Sequence, residues 1–231
     1  MGLLDVIGPV MVGPSSSHTA GACRLALLAR HLLSPDALAS GPTSARFTLH
    51  GSFAKTARGH GTDLALVAGT LGATPDDPVI ARAFEAAREA GLETSFHVAN
   101  LGDVHPNTVR IELEAGAERV LVVGSSLGGG AVRVFDVDGF RIDFSGAQHT
   151  LLVRHVDTPG VIARVARVIA DDDVNIATLV SARRKRGGDA MMSIEIDRAL
   201  SEPAVAYLTH LRVITWLRML PEVMHAEVED A

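Results

Sequence analysis

The sequence predicts an α/β (α+β) protein in two parts, a mixed α/β unit over residues 1–148 and a ferredoxin-like βαββαβ unit over residues 150–231. Three observations carry this. From Thr150 onward, alternating and helical hydrophobic periods succeed one another in the order strand, helix, strand, strand, helix, strand. Upstream, helical and strand-like runs are interleaved between Gly and Pro punctuation. Between the two, SGAQH (residues 145–149) places small and polar residues between two strand patterns, where a domain boundary belongs.

In chain order, Thr19 to Leu33 reads as a helix, Arg46 to Gly51 as a strand, and Gly61 to Leu71 and Pro78 to Ala90 as helices. Strand patterns follow at Thr94 to Val98, Thr108 to Glu114, Glu118 to Val123, Ala131 to Val137 and Phe140 to Phe144. In the second unit LLVRHVD alternates as a strand does, and DTPG supplies a cap and an early Pro159 for a helix. Val161, Ile162, Val165, Val168 and Ile169 recur at helical spacing, with Arg164 and Arg167 on the other face. NIATLVSA and AMMSIEID flank the turn RRKRGGD as a hairpin would. Glu202 to Met219 reads as the second helix and Glu222 to Glu229 as the last strand.

A chain of 231 residues with 47% hydrophobic and 21% charged residues can bury real cores. With a net charge of -6 and arginines scattered except for Arg183, Arg184, Lys185 and Arg186, no basic face for nucleic acid is expected. That short run precedes Gly187, Gly188 and Asp189 and reads as a solvated hairpin turn. No apolar run approaches the roughly 18 residues of a membrane helix, and no signal-peptide pattern opens the chain, so a cytoplasmic protein is expected. The single cysteine, Cys23, excludes internal disulfides and any site built from several thiolates of this chain.

Four polar constellations stand out. GPSSSHTAG (13–21) sets Ser15, Ser16, Ser17, His18 and Thr19 before an apolar helical run. Hydroxyls and free N–H groups there suit a carboxylate or phosphate, and His18 titrates near neutrality; one hydroxyl alone would suffice as a cap. GSFAKTARGHGTD places His60, Thr62 and Asp63 at another helix start, where capping is an equally economical role. GDVHPN puts His105 and Asn107 around Pro106 in a turn. VLVVGSSLGGG carries Ser126, Gly128 and Gly129 after a strand but lacks the Gly-Lys-Ser/Thr ending of a P-loop, and a strand pattern follows it. A backbone nest for a carboxylate and a flexible turn are both open for it. Together these groups can bind an amino or hydroxy acid and remove its α-proton. They lack an electrophile.

With these motifs in view the chain resembles the β subunit of bacterial iron-sulfur L-serine dehydratase, across both units. GPSSSHTAG and GSFAKTARGHGTD are the specific motifs, HPN and the glycine loop the weaker ones, and Leu127 stands where an isoleucine or valine is common. The resemblance implies a partner α subunit whose cysteines hold a 4Fe-4S cluster, no metal site in this chain, and conversion of L-serine to pyruvate and ammonia. It places catalytic roles on His18, His60, His105 and Asn107, and substrate contacts on Ser15, Ser16, Ser17, Thr19, Thr62, Ser126, Gly128 and Gly129. Which histidine is the base, and whether L-threonine is accepted, stay open.

The tail resembles an ACT regulatory domain, through HVDTPGVI and VNIA. The resemblance implies an effector site, of the L-serine-sensing kind, at His155, Asp157, Gly160, Val161 and Asn175, and a homodimer through ACT domains pairing side by side. Asp157 stands where better-known effector sites carry asparagine. A carboxylate there favours an ammonium group or a bound K+, or else it caps the following helix. Two other functions compete with the lyase subunit: a non-catalytic amino-acid-sensing regulatory protein, and a phosphoglycerate dehydrogenase fragment, which lacks any Rossmann fingerprint here.

Overall fold

The computed structural model describes residues 11–56 and 59–224. A π-helical turn at Ser16–Ala20 leads directly into α1 (Gly21–His31), and α2 (Pro35–Ser40) follows, capped by the Ser34 hydroxyl on the Ala37 N–H. Then come β1 (Ser44–Leu49), α3 (Gly51–Thr56), α4 (Thr62–Leu71), a 3₁₀ turn at Pro78–Arg82 and α5 (Ala83–Glu89). Five strands complete the first unit: β2 (Glu93–Val98), β3 (Thr108–Ala115), β4 (Glu118–Gly128), β5 (Ala131–Val137) and β6 (Phe140–Phe144).

These six strands form one sheet in the order β2-β1-β3-β4-β5-β6, with β1 and β2 parallel and the other pairs antiparallel. The strands alternate as a sheet with one covered face requires: Val109, Ile111 and Leu113 of β3 point into the core that α1 and α4 close with Leu25, Leu28, Leu66 and Val67. The antiparallel register brings the end of β1, the start of β3 and the end of β4 to one edge of the molecule: Leu49 pairs with Val109 and Thr108 with Ser125.

The second unit contains β7 (His149–Val156), α6 (Val161–Asp171), β8 (Ile176–Arg183), β9 (Asp189–Ile196), α7 (Glu202–Thr209) and β10 (Ile214–Leu220), with the sheet ordered β10-β7-β9-β8. This is the predicted βαββαβ arrangement with two corrections near its end. The second helix stops at Thr209 instead of Met219, and the last strand is Ile214–Leu220. Residues 222–224 are not in a strand, and the remainder of the expected strand, 225–229, lies outside the described residues. The cause is local: ITWLRML is β-branched and aromatic, and it buries Ile214, Leu217 and Leu220 against β7 and the two cores. In α6 Val161, Val165 and Ile169 are buried as expected, while Ile162 is exposed.

The face of this sheet opposite α6 packs on the first unit, with Leu152, Met191, Leu220 and Val223 joining its core. Polar contacts reinforce the junction: Arg218 Nε donates to Leu32 O at 2.9 Å, Ser145 Oγ to Glu195 Oε1 at 2.7 Å and Ser193 Oγ to Asp143 O at 3.0 Å. The basic hairpin is not simply solvated. Arg184 donates to Asp138 O at 2.6 Å and lies 4.5 Å over the Phe140 ring, so the hairpin is docked on the first sheet.

Candidate functional site

The π-helical turn at Ser16–Ala20 is capped by Ser15. Ser15, extended at the N-cap, accepts from the His18 N–H with its hydroxyl, and its carbonyl accepts from Thr19 N at 2.7 Å. The wide turn carries the His18 ring into the protein, where it is 8% exposed. Its Nδ1 lies 3.1 Å from Ser17 Oγ and 3.3 Å from Ser15 Oγ, and its Nε2 lies 3.2 Å from Ser52 Oγ. Both nitrogens are therefore held by hydroxyls, which can donate or accept as the proton moves. Burial, and then the neighbouring His60, holds the ring's pKa below its ordinary 6.5.

His60 stands edge-on to His18 with centroids 5.0 Å apart and planes at 89°. Thr19 Oγ1 donates to His60 O at 3.1 Å, tying the second motif to the first. His60 is exposed, and its ring has no hydrogen-bond partner among the described residues. Gly61, left-handed, is the residue at the start of α4. Neither Thr62 nor Asp63 caps that helix: Thr62 is fully buried with its hydroxyl unpaired, and Asp63 accepts from Leu64 N at 2.9 Å.

The HPN turn joins the same edge through its backbone. Pro106 O accepts from Ser52 N at 2.8 Å, so the turn fixes the start of the helix that offers Ser52 to His18. The left-handed Gly51 has no room for a side chain there: a Cβ would sit 2.6 Å from Pro106 O. His105 Nδ1 accepts from the Asn107 N–H at 3.1 Å, which requires its lone pair there and leaves the ring proton on Nε2. Asn107 O accepts from Ser126 N at 2.9 Å and brings in the glycine loop.

Ser126 itself does not face the opening. It is fully buried beneath Gly21, so close that a Cβ on Gly21 would lie 2.0 Å from its hydroxyl. Its Oγ is unpaired, and its side chain faces the first turn of α1 where a substrate contact was expected. Gly128, Gly129 and Gly130 have φ of +104°, +60° and +81°, and a Cβ on Gly128 or Gly129 would meet nothing within 4 Å. Backbone conformation, not crowding, demands glycine there, and the space above the loop is open. Ser16 is half-buried and makes no side-chain hydrogen bond among the described residues.

The structure thus brings His18, His60, Ser15, Ser17 and Thr19 together directly, and links His105, Asn107 and the glycine loop to them through backbone bonds. Ser52 lies within the GSFAKTARGHGTD motif, but nothing in the sequence marks it as a partner of His18. A serine one residue past a left-handed glycine carries no signal until the turn beside it is placed. Cys23 is buried, donates to Ala73 O at 3.2 Å and has its thiol pushed up to about 12, so it is unsuited to hold iron. No cluster of three or more His, Cys, Asp or Glu suited to a metal occurs among the described residues. No helix among them is long and apolar enough to cross a membrane.

A cavity of about 790 Å³ opens at the start of α6 and is lined by His155, Asp157, Gly160, Val161, Arg183 and Arg186 among others. His155 is 3% exposed, bonded through Nδ1 to Val156 O, with Nε2 unpaired. Asp157 does not cap α6, whose N-cap is the left-handed Gly160. Its carboxylate instead accepts from Gly187 N and Arg183 Nη1, each at 3.0 Å, and these bonds hold it below the usual carboxylate range. Asn175 is elsewhere. Ile176 pairs through Ile196 with His149, whereas Arg183 pairs through Ala190 with His155, so Asn175 lies at the other end of the sheet from the cavity.

Residues 4–100 match the model of the serine dehydratase beta chain family, and residues 149–206 match that of the ACT domain. The chain is 43% identical over 200 residues to the L-serine dehydratase beta chain of Peptoniphilus asaccharolyticus, covering 86% of this chain and 88% of that one. It is 37% identical over 209 residues to the probable L-serine dehydratase beta chain of Bacillus subtilis, covering 90% and 93%. A D-3-phosphoglycerate dehydrogenase of Bacillus subtilis is 30% identical over 134 residues, which span 26% of that protein. Similarity along nearly the whole length of two beta chains, with the ACT match following the histidine edge, means that this chain belongs to the L-serine dehydratase beta-chain family and carries a C-terminal ACT domain.

Proposed function

We propose that this chain is the acid-base half of a two-chain L-serine dehydratase that forms pyruvate and ammonia. The observation that carries the proposal is the pair His18 and His60, in ring contact and surrounded by hydroxyls, beside an open glycine loop. Such a set moves a proton and holds a carboxylate, but it contains no electrophile to assist loss of the β-hydroxyl. A 4Fe-4S cluster held by the α subunit would supply that Lewis acidity when bound. Cys23, buried and with its thiol proton retained, is no ligand for it.

Within this chain His60, exposed and without a hydrogen-bond partner among the described residues, takes the α-proton. His105, with its lone pair engaged by the Asn107 N–H, serves as a hydrogen-bond donor through Nε2. His60 keeps the proton it takes, and His18, neutral through burial and held by hydroxyls at both nitrogens, assists the departing hydroxyl through those serine hydroxyls. Anaerobic co-expression with the cysteine-bearing chain, followed by a pyruvate assay with each chain omitted, tests the reading. Activity only from the pair is expected. Activity from this chain alone overturns the division of labour, and none from the pair leaves the non-catalytic sensor.

For the ACT cavity a free amino acid, L-serine itself, is favoured over a monovalent cation. Asp157 already receives an arginine and a backbone N–H, and Arg186 with the free N–H groups at the start of α6 suits a carboxylate. Asn175 would reach this cavity from a second copy: an antiparallel pairing of two β8 edges brings the start of one strand beside the end of the other.

A further inference from the structure

One buried charge takes no part in the chemistry above. Arg24 lies on α1 one turn after Gly21, is 5% exposed, and has no carboxylate partner among the described residues. Its Nη1 donates to Gly130 O at 2.7 Å, its Nη2 reaches Met224 O at 3.5 Å, and its Nε is unpaired. A buried cation without a counter-charge is costly, and the same helix face elsewhere carries Leu25 and Leu28. Both acceptors are backbone carbonyls in places of interest. Gly130 closes the glycine loop, and Met224 follows β10, where Val223 N bonds Gly146 O at 2.9 Å and anchors the end of the ACT unit. The loop is thus gripped twice by α1, with Ser126 seated under Gly21 and Gly130 drawn to Arg24.

We infer that Arg24 is a positioning residue that clamps the glycine loop to the helix bearing the His18 turn, and extends the same clamp to the segment following the ACT domain. The inference deepens the lyase reading and rests on it for its kinetic consequence, while the clamp itself is a property of this chain. Three consecutive left-handed glycines have little conformational preference of their own, so a carboxylate receptor built on them needs an external restraint. A guanidinium fork can hold two carbonyls at once; an ammonium on a flexible stem cannot hold the same pair in fixed geometry.

The test uses the full chain and two variants, Arg24→Met and Arg24→Lys, the second guarding against failure of the first to fold. Hydrogen exchange in the free chain should accelerate about tenfold or more at residues 128–130 and 222–224, with α4 amides unchanged. In the reconstituted pair the KM for serine should rise about tenfold while kcat stays within about threefold. Arg24→Lys should recover less than half of either effect. Unchanged loop exchange, a uniform acceleration over the whole chain, or a loss of kcat at constant KM overturns the clamp. A wild-type pair that makes no pyruvate overturns the lyase reading, and the exchange measurement still decides the clamp.

Discussion

At the scale of the residue, His18 shows how position sets chemistry. A histidine buried among hydroxyls and beside a second imidazole is neutral near pH 7, with burial the larger cause and His60 the smaller. His60→Gln should raise the pKa of His18, read from its ring resonances by NMR, and should lower turnover by about 10²-fold or more with the cluster intact. Unchanged turnover removes His60 as the base. The depressed pKa also has a sign for stability. Between the lowered value and 6.5 the unfolded chain binds more protons than the folded one, so this contribution is complete above about pH 6.5 and is lost as pH falls below it. His18→Asn should flatten that acid-side slope in urea titrations at several pH values. Gly21 illustrates the opposite pressure. Alanine is ordinarily the better helix residue by about 1 kcal/mol, yet Gly21→Ala would press into Ser126 and should destabilise by about 1–3 kcal/mol. Adding Ser126→Gly should recover most of the loss in the same denaturation measurement, and no recovery would mean that the two do not share the contact.

Among the elements, α6 is legible because one periodicity and an uncovered polar face agree, although its N-cap is Gly160 and neither Asp157 nor Thr158 caps it. The end of the chain was misread for a definite reason: Leu208, Leu211, Ile214 and Leu217 keep a helical interval, and only the density of Ile, Thr and Trp marks where the helix gives way to a strand. Periodicity alone cannot separate those alternatives in a short run. The site was legible as motifs but not as a pair, since the contact between His18 and His60 depends on a π-helical turn that no local pattern announces. Ser52 was missed for the same cause. β10 also carries a contact with a measurable consequence. Arg218 donates to Leu32 O and Leu217 O, and it approaches Glu118, whose carboxylate accepts from Ser34 N at 3.0 Å and is held below its usual range chiefly by that residue. Arg218→Ala leaves two carbonyls short of a donor at the junction of the units and should cost about 1–3 kcal/mol. An unchanged urea midpoint would mean that the junction is carried by its apolar contacts alone.

For the whole molecule the deciding feature is what one copy cannot assemble. The six-stranded sheet gathers the histidine motifs at one edge, while the ACT sheet separates the residues expected at an effector site, with His155 and Gly160 at one end and Asn175 at the other. β8 is an edge strand among the described residues, and its LVSA stretch is free of the Pro and Lys that commonly blunt such edges. In the proposed two-fold pairing of β8 with its copy, which is self-complementary, two equivalent cavities would each receive Asn175 from the other chain. Asn175→Ala and His155→Asn should therefore each abolish serine binding at the ACT cavity when every copy carries the change. Mixed in equal amounts after dissociation, the two variants should regain roughly a quarter of the wild-type sites, because half the dimers are hybrids and each hybrid has one intact cavity. Isothermal titration of the ligand at saturating protein counts those sites directly. Recovery of none would mean that both residues act within one copy, and undiminished binding by Asn175→Ala alone would mean that Asn175 has no part in the cavity, whereas a hybrid signal requires a site shared across the pair.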